Sequence, residues 1–265
     1  MTTDTTYLLE NRNLEAGQRF AALSALFDPV SLRQFDACGI AEGWRCWEVG
    51  AGGSALVQAV ADRVGSTGHV LATDIDASWT QPAARGNVEI RIHDVADDPP
   101  PATSFDLVHA RLVLVHVARR ELAFRNMASV LKPGGWLVVE DADPALQPLS
   151  CIDVHGPEQE LANRVRAGFR TLLSGRGADL SFGRKLPRMF HEAGLEDVTA
   201  EAYFPIRHPQ CVPLEIATVR MLRKDLEDRG IVTSDEVEKH LENVRGGRLD
   251  LSQPPMISVR GRKPR

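Results

Sequence analysis

The 265-residue chain reads as an α/β protein, a doubly wound, mostly parallel sheet with helices over both faces. Three observations predict this. Between residues 44 and 143, apolar runs of strand length alternate with segments of helical period, the pattern of successive β-α-β units. A glycine turn, "GAGGS" at 50–54, joins the first such run to the first helix of the alternation. Acids at Asp74 and Asp94 end the second and third runs, so a parallel arrangement gathers all three strand ends on one edge.

Ahead of the sheet, "NLEAGQRFAALSALFDP" follows a cap candidate at Asn13 and puts Phe20, Leu23 and Phe27 on one face. It is expected to end at Asp28-Pro29, because a proline disfavours helical backbone in the residue before it. "RCWEVG" is the first strand. In the helix after it, Leu56, Val60 and Val64 form one stripe, Val57 and Ala61 a second, and Gly65 is the stop. "HVLATD" (69–74) and "NVEIRIHD" (87–94) are the next strands, and Pro99, Pro100 and Pro101 mark a loop. "FDLVHA" (105–110) leads into a helix ending near Leu131, and "KPGG" then turns the chain into the strand "WLVVED" (136–141). Residues 156–174 read as helix, "GRKLPRMFHEAGL" as a helix closing at Gly194, and "DVTAEAYFPI" as a strand. A helix follows over about 212–228, another opens with Thr233 and Glu236 in capping-box spacing, and "PMISVRGR" supplies a last strand.

The expected layout is a single domain over 1–265. Cap helices occupy 8–38, the core sheet 40–207, a helical lid insertion 208–250, and a final strand with a basic tail 253–265. The tail residues Arg260, Arg262, Lys263 and Arg265 are expected to be solvated. Composition is ordinary for a globular protein, with 43% hydrophobic and 25% charged residues. A net charge of -5 offers phosphate backbones no general attraction, which favours small-molecule partners over nucleic acid. Neither a membrane-length apolar run nor a signal peptide is visible, so a cytoplasmic location without membrane association is expected. The four scattered cysteines, Cys38, Cys46, Cys151 and Cys211, are expected to be buried thiols.

A glycine turn between strand and helix lets a ligand touch free backbone N–H groups at the positive end of the helix dipole. Asp74 is placed to grip two ribose hydroxyls, and Asp94 to accept from the exocyclic amine of adenine. Ala55 stands at the sixth position of G-x-G-x-x-G/A, so this spacing alone also admits NAD.

Taken in order, "EVGAGGS", "ATDID", "HDV", "FDLVHARLVLVHV" and "LKPGGWLVVED", with "LPRMFHEAGLEDV" further on, resemble the class I S-adenosylmethionine-dependent methyltransferases that act on small molecules. The resemblance implies a seven-stranded sheet whose last strand is antiparallel, and S-adenosyl-L-methionine as cofactor. It makes Gly50, Ala51 and Gly52 the cradle of the methionine part, with Glu48 orienting that loop or holding the amino group. It also assigns Asp74 to the ribose, Ile75 to packing on the adenine, Asp94 with the Val95 amide to the adenine edge, and Ala110 and Arg111 to the sulfonium and methionine tail. Arg19 would pair with the methionine carboxylate and Tyr7 would cover the pocket. Ser54 replaces the third glycine that many relatives carry and is expected to cap the helix that follows.

Methyl transfer mainly needs alignment and exclusion of water. An oxygen acceptor also needs a base, for which the candidates are His109, His116 and Asp141, with Glu140, Asp143 and His155 behind them. No metal is expected, because Arg111 stands where a metal-dependent relative would place a carboxylate. Phe190, Phe204, Met221 and Leu222 suggest a partly apolar acceptor of the kind found in secondary metabolism, and a homodimer is left open. Two other readings stand beside this one: a cofactor-binding protein of the same fold that moves no methyl group, and an NAD-dependent dehydrogenase.

Overall fold

The structure is a computed structural model and describes residues 8–9 and 15–265. Seven strands form one sheet: β1 (Arg45–Val49), β2 (His69–Asp74), β3 (Val88–Ile92), β4 (Phe105–Arg111), β5 (Leu131–Ala142), β6 (Glu196–Tyr203) and β7 (Met256–Arg262). Their order is β3-β2-β1-β4-β5-β7-β6. Only β7 runs antiparallel to its neighbours, as expected for the last strand. The order reverses between β1 and β4, and the glycine turn follows the carboxyl end of β1 at this switch point, the position where open α/β sheets bind ligands.

Strand alternation sorts the core onto two faces. Trp47, Val49, Val108, Ala110, Leu137, Val139 and Val259 pack on one face against α3 (Arg120–Ser129) and α5 (Leu186–Glu192) through Phe124, Met127, Leu186 and Phe190. Cys46, Val70, Leu107 and Val138 pack on the other against both predicted stripes of α2 (Ala55–Val64) and against Phe35 and Cys38 of α1 (Glu15–Cys38). All four cysteines are buried free thiols, as expected.

The remaining helices, α4 (Pro157–Gly175), α6 (Cys211–Asp228) and α7 (Ser234–Arg245), make a cap with a core of its own. Leu9 is buried within that core among Leu161, Val165, Leu222 and Leu241, which ties the front of the chain to the cap. The cap includes α4, although that helix falls in sequence inside the 40–207 span of the sheet. Thr233 and Glu236 form the expected capping box at α7.

Four local expectations are corrected. The first helix does not stop at Asp28-Pro29 but runs through the proline to Cys38, where Gly39 adopts φ 79° and ends it. The cost of one lost hydrogen bond is offset by burying Val30, Gln34, Phe35 and Cys38 in the extra turns. "KPGG" lies within β5 rather than before it, in an irregular stretch where the register with β4 shifts between Phe105 and Leu107. The basic run is solvated only at its end: Arg260 donates to Gln34, Arg262 to the Gly134 carbonyl and Lys263 to the carbonyls of Ser129 and Leu131, while Arg265 is exposed. Ser54 makes no side-chain cap bond to α2.

Candidate functional site at the carboxyl edge of the sheet

Gly50 and Gly52 have φ of 61° and 59°, left-handed backbone that disfavours any side chain. Space forbids one as well. A Cβ on Gly50 would collide with Val113 in the loop after β4, and one on Gly52 would lie 2.7 Å from the Phe20 ring. The turn is thus packed between α1 and the post-β4 loop. Asp74 joins it there: its Oδ2 accepts the Gly52 N–H at 2.9 Å and its Oδ1 the Asp76 N–H at 2.9 Å. Burial raises the Asp74 pKa against the lowering effect of those two amides. The next residue, Ile75, is 60% exposed, an apolar side chain presented to the outside of the strand end.

The third acid is close by, since the amide of His93 donates to the Asp74 carbonyl at 3.0 Å. The Oδ1 of Asp94 caps its own turn, accepting from the amides of Ala96 at 2.8 Å and Asp97 at 3.1 Å. Val95 and Ala110 are buried with their side chains in the core. The strand-end geometry therefore brings Asp74, Asp94 and the glycine turn to one edge, as a parallel register requires.

Glu48 and Arg111 do not join them. The parallel register aligns Glu48 with His109 and Arg111 with Glu140, and alternation turns all four to the face covered by α1. There His109 is clamped: Nδ1 lies 2.7 Å from Glu48 Oε2, Nε2 lies 3.1 Å from Glu140 Oε2, and Phe35 meets the ring edge-on. Ser31 and Ser258 donate to the two oxygens of Glu140. Arg111 donates to Ser31 Oγ at 2.8 Å and to Asp28 Oδ1 at 2.7 Å. Burial alone would depress the His109 pKa, but the charges and hydrogen bonds of Glu48 and Glu140 outweigh it and raise it to about 9. This side chain is a permanent imidazolium at neutral pH and has no nitrogen left for a reacting group. Arg111 is likewise committed to α1, away from the methionine-tail role the resemblance implied.

The other base candidates differ in setting, and Asp141 keeps one oxygen, Oδ1, buried without a hydrogen-bond partner. Asp141 is 1% exposed, and its carboxyl accepts the Val115 N–H at 3.2 Å to brace the post-β4 loop. Burial lifts its pKa to about 8, against the amides of Val115, Leu114 and Ala142, so it holds its proton at neutral pH. Asp143 forms a bidentate pair with Arg184 at 2.6 Å. His155 is exposed beside Asp153. His116, in the post-β4 loop, has its pKa pushed down to about 3 by burial and by the charges of Arg19 and Arg120. It stays neutral and is a weak proton acceptor.

That coupling places Arg19 within electrostatic reach of the post-β4 loop, one residue from the Phe20 that covers Gly52. Its Nε is buried without a hydrogen-bond partner. A guanidinium held this way at the glycine turn is suited to a carboxylate brought in from outside. Tyr7 lies outside the described residues. Phe190 is a core residue, while Met221 and Leu222 belong to the interior of the cap; Phe204 is half-buried after β6. Among the described residues no three His, Cys, Asp or Glu side chains cluster as metal ligands.

Sequence reasoning missed Asp28, Ser31 and Ser258 as partners of the buried charges, and Val113 as the cover of Gly50. The signal was present for the first two: polar residues three apart on the extension of an otherwise apolar helix face, matching acids at the same parity on β1 and β5.

A family model described as a methyltransferase domain matches residues 47–139, the span from β1 to β5 that carries the glycine turn and both acids. The ubiquinone/menaquinone biosynthesis C-methyltransferase UbiE of Vibrio parahaemolyticus is 33% identical over 124 residues, which cover 43% of this chain and 48% of that protein. This chain thus aligns with only about half the length of such curated relatives. Among solved structures, the phosphoethanolamine N-methyltransferase 2 of Haemonchus contortus, in complex with phosphomonomethylethanolamine and S-adenosylhomocysteine, superposes with a TM-score of 0.60. It shares 14% identity over 100% of this chain and 61% of that one. The [4+2]-cyclase SpnF matches with a TM-score of 0.50 and 17% identity over 88% of this chain and 80% of that one. These likenesses show the fold.

Proposed function

We propose that this chain, whose residues 47–139 carry a methyltransferase domain of the class I type, is an S-adenosylmethionine-dependent methyltransferase acting on a small molecule. One observation carries the reading furthest. A glycine turn whose two left-handed residues have no room for a Cβ is held by Asp74, and Arg19, next to the Phe20 that covers Gly52, buries its Nε without an acceptor. The residues present fit the cofactor: Arg19 for its carboxylate, the Gly50–Gly52 backbone for the methionine part, Asp74 for the ribose, Ile75 and Asp94 for the adenine. When bound, the cofactor supplies an electrophilic methyl on a sulfonium.

What the chain itself contributes is position. The glycine turn and the post-β4 loop are braced by Phe20, Val113 and Asp141, which suits a reaction that mainly needs alignment. Among the base candidates His109 is locked between two carboxylates, while burial raises the Asp141 pKa and lowers that of His116. The likeness to a cyclase cautions that the fold alone does not name the reaction.

Calorimetric titration with S-adenosylmethionine, S-adenosylhomocysteine and NAD tests the cofactor directly. Binding of the first two and not of NAD is expected. Arg19→Gln and Asp74→Ala should each weaken S-adenosylhomocysteine by roughly tenfold or more, the loss of about 1.4 kcal/mol. Tight NAD binding, or full affinity in both variants, refutes the assignment. Methyl transfer to any acceptor then separates a methyltransferase from a binding protein of the same fold.

A further inference from the structure

Residues 93–104 carry the chain from β3 across to β4, a parallel crossover of the kind that a helix usually fills, yet they form no helix. The crossover lies on the Trp47 face of the sheet. There the Trp47 ring meets His93 with centroids 5.7 Å apart, and His93 Nε2 is 3.1 Å from the Pro99 carbonyl. Strand register sets Arg45 beside His69 and Trp47 beside Leu71, and Leu71 beside Glu89, so alternation brings Arg91 to this face as well. A thin loop thus covers what a helix would fill. Next to it a hollow of about 350 Å³ stays open, with Leu71, Pro101 and Phe105 as its apolar lining and Arg45, His69, Glu89 and Arg91 as its polar lining. That volume is within the range of small-molecule sites.

The charges around the hollow do not cancel. Arg91 donates to Glu89 Oε1 from Nε at 3.2 Å and from a terminal nitrogen at 2.5 Å, and His69 Nε2 lies 3.6 Å from Glu89 Oε2. The Arg91 hydrogen bond, more than any other contact, holds the Glu89 carboxyl below the usual carboxylate range, so Glu89 stays ionised and matches Arg91. Arg45 has no such counterpart. The acid beside it, Asp106, is already engaged: its Oδ2 accepts the Arg45 backbone amide at 2.8 Å and Lys132 Nζ at 2.7 Å. Arg45 Nε is sealed from solvent without an acceptor, and among the described residues no carboxylate or carbonyl meets its guanidinium.

An orphaned donor within packed side chains has no room for a partner, whereas Arg45 borders open space. Its planar fork fits the edge of a carboxylate or a phosphate. Arg45 and His69 open β1 and β2, so the hollow lies near the amino ends of the strands, a strand length of roughly 15 Å from the glycine turn.

We propose that this hollow is a second ligand site, separate from the glycine turn, which takes a small amphipathic anion. A carboxylate or phosphate pairs with Arg45, and an apolar body lies against Leu71, Pro101 and Phe105. The site does not depend on the methyltransferase reading.

The test titrates phenyl phosphate and benzoate, with neutral benzyl alcohol and benzamide as controls, into isotope-labelled full-length protein. Backbone amide resonances of Leu71, Ala102 and Thr103 report the hollow, and those of Ala51 and Gly52 report the glycine turn. At least one anionic probe should shift the hollow's amides saturably, with a midpoint about tenfold or more below that of its neutral control. The tighter probe identifies phosphate or carboxylate as the preferred group. Arg45→Gln should raise that midpoint about tenfold, whereas Asp74→Ala, at the opposite edge, should leave it unchanged. Glu89→Gln removes the competing carboxylate and frees Arg91, so it should lower the midpoint by about threefold or more, a gain that misfolding cannot imitate. Shifts confined to the glycine turn, no saturable shift at the hollow, or a midpoint indifferent to Arg45→Gln overturns the proposal.

Discussion

His109 is the residue on which three strands and one helix converge, and its charge state has a stability consequence. Its folded pKa of about 9 lies above the value near 6.5 expected of an unfolded histidine. The raised value means that the folded protein holds the proton more tightly. The associated stability is fully present below about pH 6.5 and is lost as pH rises through about 9. His109→Gln leaves Glu48 and Glu140 facing each other without a positive charge, a loss on the order of 3–5 kcal/mol for a broken buried pair. Melting curves between pH 6 and pH 10 should show a lower midpoint near neutrality for the variant and a flatter dependence above it. An unchanged slope would mean that His109 does not carry the charge. Much at this scale was legible: residue types at strand ends marked Asp74, Asp94 and the glycine turn. The roles of Glu48, Arg111 and His109 were not, because an acid in a strand reads alike whether it faces a ligand or a buried histidine.

At the scale of elements, α1 departs most from local expectation. Proline at position 29 breaks the helical hydrogen-bond ladder, yet the helix continues because Val30, Gln34, Phe35 and Cys38 are buried beyond it. Tertiary burial overrides a local stop signal. Pro29→Ala restores the missing donor and should raise stability by about 1–3 kcal/mol, seen as a higher denaturant midpoint at an unchanged slope. A lower midpoint would show that the proline's geometry is needed to set Asp28 against Arg111. The capping box at α7 is the opposite case. Thr233 and Glu236 satisfy each other within one turn, so spacing alone located the helix start.

For the whole molecule, the last ten residues matter more than their position suggests. β7 lies between β5 and β6, pairing from Trp136 to Ala142 on one side and from Glu196 to Tyr203 on the other. A chain ended at residue 253 should therefore lose β6 from the sheet, expose the apolar edge of β5 and aggregate. Retention of a cooperative melt with wild-type secondary structure would contradict this. The cap adds a second long-range tie, since Leu9 packs with helices more than a hundred residues away in the chain. No described helix is long and apolar enough to cross a membrane.

By itself the sequence determined the alternation of strands and helices, the glycine turn and the acids that end β2 and β3. These follow from side-chain periodicity and backbone sterics, which act over a few residues. Only the tertiary structure decided that Glu48 and Arg111 turn inward, that Asp141 is buried against the post-β4 loop, and that Arg19 Nε is left without an acceptor. Each of those outcomes depends on what lies opposite a side chain once water is removed. The opposing group can be as far away in the chain as Ser31 is from Glu140, 109 residues, a separation that no local pattern encodes.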